Sequence, residues 1–314
     1  MKFVSPARML RLKSLLFLAL CPVAWAKNPI ITGADPHAAF LNGTVWVYPT
    51  HSEKGRNFFA FKLTPQKTWE KVGPILDLKD VPWLKTERQR NISPWAPCIA
   101  VKGSRYYFYY SVGPQSAERP SRIGVAEGNS PAGPFKDSGS VLLSGGNGFE
   151  AIDPMVFEDP ASRKFYFYAG GSAGAKLRVF ELNENMMGLK KEIDIEQPEK
   201  FTEGAFVHFR NGVYHLTYSH GGWKDSTYSV HHSTSSSPTG PWKYRGVILK
   251  SDDRHKGPGH HSIIQIPDSE TCYIIYHRWN NREGNGPYQG ARETCIDKLV
   301  HKPDGWIEPV VMTD

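Results

Sequence analysis

Short segments rich in aromatic and β-branched residues recur along the chain, each bounded by glycine, asparagine or charged residues. This pattern predicts strands that are buried on at least one face. Five copies stand out, at residues 44–48, 105–110, 164–168, 213–218 and 271–276, so that their starts lie 61, 59, 49 and 58 residues apart. A repeat of this length in a strand-rich chain indicates a propeller or a solenoid.

Two further segments repeat in step with these strands. Residues 130–135 read Ser-Pro-Ala-Gly-Pro-Phe and residues 237–242 read Ser-Pro-Thr-Gly-Pro-Trp, which predicts the same turn in two units. The 29 glycines and 24 prolines leave few windows for a helical period. We therefore expect an all-β fold, a five-bladed β-propeller that forms a single domain over residues 27–314, because radial repetition protects most strand edges.

The residues that precede each repeated strand carry the strongest functional signal. Nine to eleven residues before the five strands stand, in chain order, Asp35, Trp95, Asp153, Glu203 and His260. The innermost strand of each propeller blade starts near the axis, so residues at equivalent offsets converge there. The sequence thus predicts one central pit that holds three acids, a tryptophan and a histidine.

Three carboxyl groups in one pit suit the hydrolysis of glycosides. One carboxylic acid must protonate the leaving oxygen, and a second carboxylate must activate water or attack the sugar. A third can keep the acid protonated, because closely spaced carboxylates disfavour simultaneous ionisation. Acids from different blades stand apart across the pit, which favours a water between them and inversion of the anomeric configuration.

The local sequence around each acid supports a special role. Asp35 and Asp153 each precede a proline, and although one Asp-Pro pair predicts a turn, two at matching offsets indicate a repeated function. Glu203 is flanked by apolar residues and Gly204. Burial of this kind raises the pKa of a carboxyl group, as a general acid requires.

Five short motifs in order along the mature chain resemble glycoside hydrolase family 43. They are Ala-Asp-Pro-His at 34–37, Trp-Ala-Pro at 95–97 before the aromatic strand, Ala-Ile-Asp-Pro at 151–154, Thr-Glu-Gly-Ala at 202–205 and Gly-Pro-Gly-His-His-Ser at 257–262. The resemblance implies a five-bladed propeller and an inverting mechanism. It also implies that Asp35 is the general base, that Asp153 orients the acid and modulates its pKa, and that Glu203 is the general acid.

The same resemblance extends to a histidine and an arginine. His260 corresponds to a histidine near the pit centre that often binds a calcium ion, directly or through water, although a lone histidine is more often structural. Arg292, in Gly-Ala-Arg-Glu-Thr at 290–294, resembles an arginine that reaches the active site near the modulating aspartate. A surface salt bridge is the alternative role for Arg292.

Aromatic and histidine side chains are the candidates for contacts with the sugar. Trp95 is expected to stack on the sugar ring next to the scissile bond, with packing between blades as the alternative. We also expect substrate contacts from loop residues at the rim, namely His37, His51, Trp223 and Trp279. Most other aromatic residues lie in the repeated strands, where core packing accounts for them.

The preferred activity is exo-acting release of L-arabinofuranose from plant polysaccharide side chains or oligosaccharides. A β-xylosidase or an exo-galactanase of the same fold is the close alternative. A carbohydrate-binding propeller without catalysis would not need separated acids, which argues against it. Retaining fructan-active propellers carry a different motif around the nucleophile, Asn-Asp-Pro-Asn-Gly or similar, and Ala-Asp-Pro-His does not match it.

The first 26 residues are expected to be a secretory signal peptide, so that the protein is secreted or periplasmic. They contain four basic residues, a short apolar run and the sequence Ala-Trp-Ala. Their removal takes the net charge from +7 to +3 and leaves no cluster of basic residues. We therefore expect no nucleic-acid or membrane partner, a plant cell-wall carbohydrate as substrate and a monomeric enzyme.

Three cysteines remain after residue 26, namely Cys98, Cys272 and Cys295. An odd number leaves at least one free thiol. Cys272 and Cys295 both lie in strand-like segments near the end of the chain and are the pair that a disulfide would join. No cysteine spacing resembles a zinc site.

Overall fold

The structure is a computed structural model that describes residues 27–50, 56–85, 92–172, 174–267 and 269–314. The predicted signal peptide and His51 lie outside these ranges. Strands make up nearly all of the regular structure, with two single-turn 3-10 helices at Leu78–Asp80 and Pro82–Leu84. Among the described residues, no helix has the length and apolar character needed to span a membrane.

Twenty-one strands, numbered in chain order, form five sheets. Strand β1 is Ile31–Thr32. The sheets, here called blades one to five, are β2 (Ala34–Leu41), β3 (Thr44–Thr50), β4 (Asn57–Leu63) and β5 (Trp69–Asp77); β6 (Pro94–Lys102), β7 (Arg105–Val112), β8 (Arg122–Gly128), β9 (Lys136–Asp137) and β10 (Leu143–Ser144); β11 (Met155–Glu158), β12 (Phe165–Ala169), β13 (Arg178–Leu182) and β14 (Leu189–Ile193); β15 (Glu203–Arg210), β16 (Val213–His220), β17 (Ser229–Ser235) and β18 (Lys243–Leu249); and β19 (His255–Gln265), β20 (Cys272–Asn280) and β21 (Glu293–Leu299) with β1. All pairings are antiparallel.

The first strand of each blade lies on the axis. Strands β2, β6, β11, β15 and β19 contact one another in this order, and β19 contacts β2 to complete the ring. The N-terminal strand β1 pairs with β21, so both ends of the chain build blade five. Asn28 reinforces this closure, because its side chain exchanges hydrogen bonds with the backbone of Ile296. The predicted five-bladed propeller is confirmed.

Each repeated aromatic segment of the sequence is the second strand of its blade, where it packs between neighbouring blades. Phe108, fully buried in β7, packs edge-on against Phe58 of blade one at 5.2 Å between ring centroids. The two predicted turns occupy the same place, between the third and fourth strands of blades two and four. In each, a proline carbonyl accepts a hydrogen bond from a tyrosine of the preceding blade, Tyr48 to Pro131 and Tyr168 to Pro238.

Cys98, Cys272 and Cys295 are buried and free, so the pairing of Cys272 with Cys295 that the sequence left open does not form. Cys295 lies opposite Tyr276, four residues further along β20 than Cys272. That offset separates the two by roughly 13 Å along the strand, whereas a disulfide needs Cα atoms within about 7 Å. Burial raises the pKa of the Cys98 and Cys295 thiols to about 12, which keeps both protonated.

Candidate active site

The five inner strands share a backbone irregularity at the same height. Residues Asp35, Ala96, Asp153, Gly204 and His260 all have positive φ, between 36° and 64°. Four of these five positions coincide with a shift of register between the first and second strands of the blade. Left-handed backbone is uncommon outside glycine and costs about 1–3 kcal/mol per residue, and it concentrates at functional sites. The repeat therefore builds the same strained turn five times around the axis.

The backbone N–H at four of these positions is held by the preceding blade. The acceptor is a side chain at the end of that blade's second strand: His277 Nδ1 for Asp35 at 3.0 Å, Thr50 Oγ1 for Ala96 at 2.6 Å, Ser111 Oγ for Asp153 at 3.0 Å and Ser219 Oγ for His260 at 2.8 Å. Each acceptor stands six residues after the start of a repeated segment, and Gly170 holds that place in the third copy. This signal was present in the sequence, and sequence reasoning missed it.

The predicted residues meet in one cavity of about 160 Å³ at the axis. Its lining consists of Asp35, Trp95, Gln115, Ile152, Asp153, Ser172, Glu203, Trp223, His260 and Arg292. Seven of the eight residues predicted as catalytic, substrate-binding or metal-binding line this cavity. Gln115, Ile152 and Ser172 were not predicted, because none of them lies at a repeat offset.

His260 lies between two of the acids. Its Nδ1 is 3.4 Å from Asp153 Oδ2 and 3.6 Å from Asp35 Oδ1. Burial by itself lowers the pKa of His260, but the charges of Asp153 and Asp35 outweigh burial and raise the pKa to about 9. A cationic imidazole therefore occupies the centre of the pit at neutral pH.

Asp35 is held in its ionised form. Burial favours the neutral acid, but the guanidinium of Arg292, with Nη1 2.9 Å from Asp35 Oδ1, and the charge of His260 hold the pKa of Asp35 well below its usual range. His277 lies 3.3 Å from the same oxygen, and burial lowers the pKa of His277 to about 3, so its ring stays neutral. An ionised carboxylate of this kind can accept a proton from water.

Glu203 has the opposite electrostatic character. Burial, followed by the charge of Asp153, raises the pKa of Glu203 to about 6. The Tyr228 hydroxyl donates to Glu203 Oε1 at 2.7 Å, and Ser172 Oγ donates to Oε2 at 2.5 Å. Both hydrogen bonds favour the carboxylate, but they only partly offset burial. The pit thus contains one carboxyl group that holds its proton up to about pH 6 and one that is already ionised there, which is the arrangement for paired acid and base catalysis.

Arg292 reaches the active site, where it lines the same cavity as Asp153. Its ion pair is with Asp35, the expected base. Its guanidinium also lies 4.6 Å from the ring centre of Trp223, a cation–π contact. One arginine thus joins the base to the aromatic rim of the pit.

Two of the expected rim residues lie elsewhere. Trp279 is buried, stacks on Trp223 at 6.4 Å between ring centroids and donates from Nε1 to the Trp223 carbonyl. It supports the rim residue instead of forming the rim. His37 does not line the cavity: its ring lies 6.2 Å from that of Phe206 between centroids, and its Nε2 is 3.9 Å from the Cys98 sulfur. Burial, followed by the charge of His260, lowers the pKa of His37 to about 4.

The side chains around His260 supply only part of a calcium coordination sphere. Calcium prefers six to eight oxygen ligands, and water can supply those that a protein does not. The carboxylate oxygens paired with His260 belong to Asp35 and Asp153. His37, which lies against Phe206 and Cys98, offers no oxygen. We therefore assign no step of the reaction to a metal ion.

A five-bladed propeller whose axial pit holds a protonated and an ionised carboxyl group defines a glycoside hydrolase, acting on O-glycosyl bonds. The profile of glycosyl hydrolases family 43 matches residues 26–307. The chain belongs to this family.

Similar proteins span several sugar specificities. The chain is 35% identical over 308 residues to a β-D-galactofuranosidase of Aspergillus niger, covering 92% of this chain and 86% of that enzyme. It is 28% identical to a xylosidase/arabinosidase of Humicola insolens, covering 89% and 98%. A thermostable family-43 glycoside hydrolase superposes with a TM-score of 0.75 at 25% identity, covering 91% and 96%. A β-xylosidase/α-arabinofuranosidase from a compost metagenome, solved with xylotriose in a calcium-free form, superposes with a TM-score of 0.71 at 29% identity, covering 88% and 94%.

Proposed function

We propose that the enzyme is an inverting, exo-acting hydrolase that releases terminal L-arabinofuranose from plant polysaccharide side chains or oligosaccharides. The observation that carries this proposal is the pairing of an ionised Asp35 with a protonated Glu203 in a single small pit. A cavity of about 160 Å³ lies well below the ~300–1,000 Å³ of ordinary ligand pockets. The cavity suits one sugar residue, with the rest of the saccharide outside it.

The reaction follows from these two protonation states. Asp35 accepts a proton from a water molecule as the water oxygen attacks the anomeric carbon. The bond from that carbon to the leaving oxygen breaks, and Glu203 gives its proton to the leaving oxygen. Asp153 does not touch the transferred protons: its charge raises the pKa of Glu203, and its ion pair fixes His260.

The positions of the two carboxyl groups support inversion. Asp35 stands on blade one and Glu203 on blade four, and blade five with His260 lies between them. Groups on non-adjacent blades leave space for water between the base and the sugar. Inverting pairs are ~6.5–9.5 Å apart, and retaining pairs only ~5–5.5 Å.

A second candidate substrate is a terminal β-D-galactofuranoside. The 35% identical relative from Aspergillus niger is a β-D-galactofuranosidase. Galactofuranose and arabinofuranose share a five-membered ring, so one pit can accept both when its floor leaves space for the longer exocyclic chain of the hexose. A β-xylosidase remains the alternative with a six-membered ring, supported by the xylosidase/arabinosidase relatives.

We further propose that residues 1–26 direct export and that the enzyme works as a monomer outside the cytoplasm. The basic start, apolar run and Ala-Trp-Ala sequence support export. A pit that takes Asp35, Trp95, Asp153, Glu203 and His260 from the five blades of one chain supports a monomeric enzyme.

The test is turnover of 4-nitrophenyl α-L-arabinofuranoside, β-D-galactofuranoside and β-D-xylopyranoside by the purified protein. The arabinoside should give the highest kcat/KM, and NMR of the first-formed sugar should show the inverted anomer. Preference for either other glycoside would replace the substrate and keep the mechanism. A first product of retained configuration would overturn the roles of Asp35 and Glu203.

Two variants test the assigned roles directly. Asp35→Asn should abolish turnover of all three glycosides, because no other group activates the water. Glu203→Gln should abolish cleavage of natural oligosaccharides, whose leaving groups need a proton, and should spare activated nitrophenyl glycosides more. Full activity of Glu203→Gln on oligosaccharides would remove this residue from the acid role.

A further inference from the structure

Three histidines converge at the end of blades four and five that faces away from the pit. His208 lies in β15, five residues and thus roughly 17 Å beyond Glu203 along the strand. His215 is its direct cross-strand partner in β16, and His301 follows β21 of blade five. One ring nitrogen from each of these residues lies within 4.8 Å of the other two.

The three rings pack directly against one another. The His208 and His215 rings stack nearly parallel, with centroids 4.7 Å apart. The His301 ring meets both edge-on, at 5.0 and 5.1 Å. His208 Nε2 is 2.8 Å from His301 Nε2, a hydrogen bond in which one ring donates and the other accepts.

We propose that His208, His215 and His301 bind a first-row transition-metal ion of the zinc type. Tetrahedral zinc with Zn–N bonds of ~2.0–2.1 Å holds its nitrogens ~3.3–3.4 Å apart. Separation of the His208–His301 pair by about 0.5 Å, together with rotation of the His215 ring out of its stack on His208, would bring the three nitrogens to corners of this geometry. Imidazole ligands without carboxylates select zinc, copper, nickel or cobalt over calcium and magnesium.

The surroundings of the cluster leave its nitrogens free of protons. Burial, followed by the neighbouring histidines, holds the pKa of His208 well below its usual range, and burial lowers the pKa of His215 to about 4 and that of His301 to about 3. Neutral imidazole is the form that binds metal, so protons offer little competition at pH 7.

A second layer supports the proposed ligands. His215 Nδ1 is 3.0 Å from His232 Nε2, so His232 can fix the orientation of the His215 ring as outer-shell partners do. The nearby cations are Arg210 and Arg245, which oppose an added positive charge. Arg210 is paired with Glu270 at 2.6 Å, and this contact reduces its repulsion.

A bound ion would have a structural role rather than a catalytic one. His301 also pairs with Ile307 in an isolated β-bridge, so it anchors the segment that follows the last strand. A metal would tie this segment of blade five, the blade that closes the ring, to blade four. Its removal should lower thermal stability and leave turnover in the pit unchanged.

The test is a zinc titration of the chelator-treated full chain, without a polyhistidine tag, followed by isothermal calorimetry. We expect one zinc per chain and a Tm higher by about 5 °C at a hundredfold excess of free zinc over Kd. His301→Gln should weaken zinc binding more than about tenfold and remove the Tm shift, and His208→Gln should behave alike. His220→Gln, in the same blade but outside the cluster, is the control and should bind zinc as the parent does.

Cobalt substitution gives a readout that mere packing of three histidines would not produce. Co²⁺ in the site should show the visible absorption of a four-coordinate ion, and this absorption should be missing in His301→Gln. The proposal is overturned if the parent binds no zinc. It is also overturned if His301→Gln and His208→Gln both bind zinc as tightly as the parent does.

Discussion

Arg292 Nη1 lies 2.9 Å from Asp35 Oδ1, and these two residues come from opposite ends of the chain. The contact keeps the base ionised, because the charge of the guanidinium opposes protonation of the carboxylate. Glu203, two blades away, contacts hydroxyl groups in place of a cation. The pKa values of Asp35 and Glu203 therefore differ because a cation contacts the first and hydroxyl groups contact the second. Most of the predictions below follow from this difference.

The pH profile of kcat/KM should be bell-shaped. Glu203 must be protonated to act, so activity should fall as the pH rises through about 6, the pKa of Glu203. Asp35 must be ionised, so activity should be lost on the acid side only well below pH 3.8. Initial rates at low substrate between about pH 2 and pH 10 measure the alkaline limb and show that activity persists below pH 3.8. An alkaline limb near pH 9 would instead point to His260 as the limiting group.

Loss of the Arg292 charge should move the acid limb of the kcat/KM profile to higher pH. In Arg292→Gln the carboxylate of Asp35 loses the cation that most lowers its pKa, so a higher pH is needed to ionise it. We expect the acid limb to shift by about one unit or more and kcat to fall by at least tenfold. Arg282→Gln, in the same loop but bonded only to backbone carbonyls of Asn281 and Gln289, is the matched control. An unchanged acid limb in Arg292→Gln would count against the assignment of Asp35 as the base.

Removal of the Tyr228 hydroxyl should move the alkaline limb of the kcat/KM profile to higher pH. The hydrogen bond from Tyr228 to Glu203 stabilises the carboxylate and lowers its pKa, so Tyr228→Phe should raise the pKa of Glu203 and extend activity to higher pH. The phenyl ring can keep its stack on His277, at 5.6 Å between centroids. Tyr244→Phe removes a hydroxyl from the same blade, where it contacts His231, and should leave the profile unchanged. A shift of the alkaline limb to lower pH in Tyr228→Phe would contradict this role of the Tyr228 hydroxyl.

A methyl group at Gly171 should displace the acid. A Cβ added there would lie 2.3 Å from Glu203 Cβ, a distance that requires one of the two blades to move. We expect Gly171→Ala to lose about 1–3 kcal/mol of stability, as overpacking does, and to lose activity at temperatures where it is folded. Gly103→Ala is the comparison: its added Cβ meets nothing within 4 Å, so it should cost stability only through its φ of 60° and keep activity. Full activity in Gly171→Ala would show that the backbone at residue 171 can shift to accept the methyl group without displacing Glu203.

The repeat in the sequence predicted the number of blades and most of the pit. Regular spacing identified Asp35, Asp153, Glu203 and His260, because a propeller converts equal offsets into a shared position at the axis. Tyr228 and Ser172 escaped prediction since they follow no such offset and reach Glu203 from loops before β17 and after β12.

Side-chain direction was the part that the sequence could not supply. Four of the five inner strands change register at their left-handed residue, so the simple alternation of inward and outward residues fails there. His37 consequently does not line the pit, and Trp279 packs behind Trp223. The partner of Arg292 depends on how blade five meets blade one, a long-range contact that no local pattern encodes.

The closure of blade five by β1 also determines when the enzyme can become active. His260, His277 and Arg292 all belong to this blade or its loops, yet the blade is complete only after residues 31–32 meet residues 293–294. Contacts between such distant parts of a chain form slowly, because the intervening loop loses so much freedom. In a refolding experiment, sheet formation should therefore come early and hydrolytic activity last. The rate at which activity returns would then measure the rate of the final folding step.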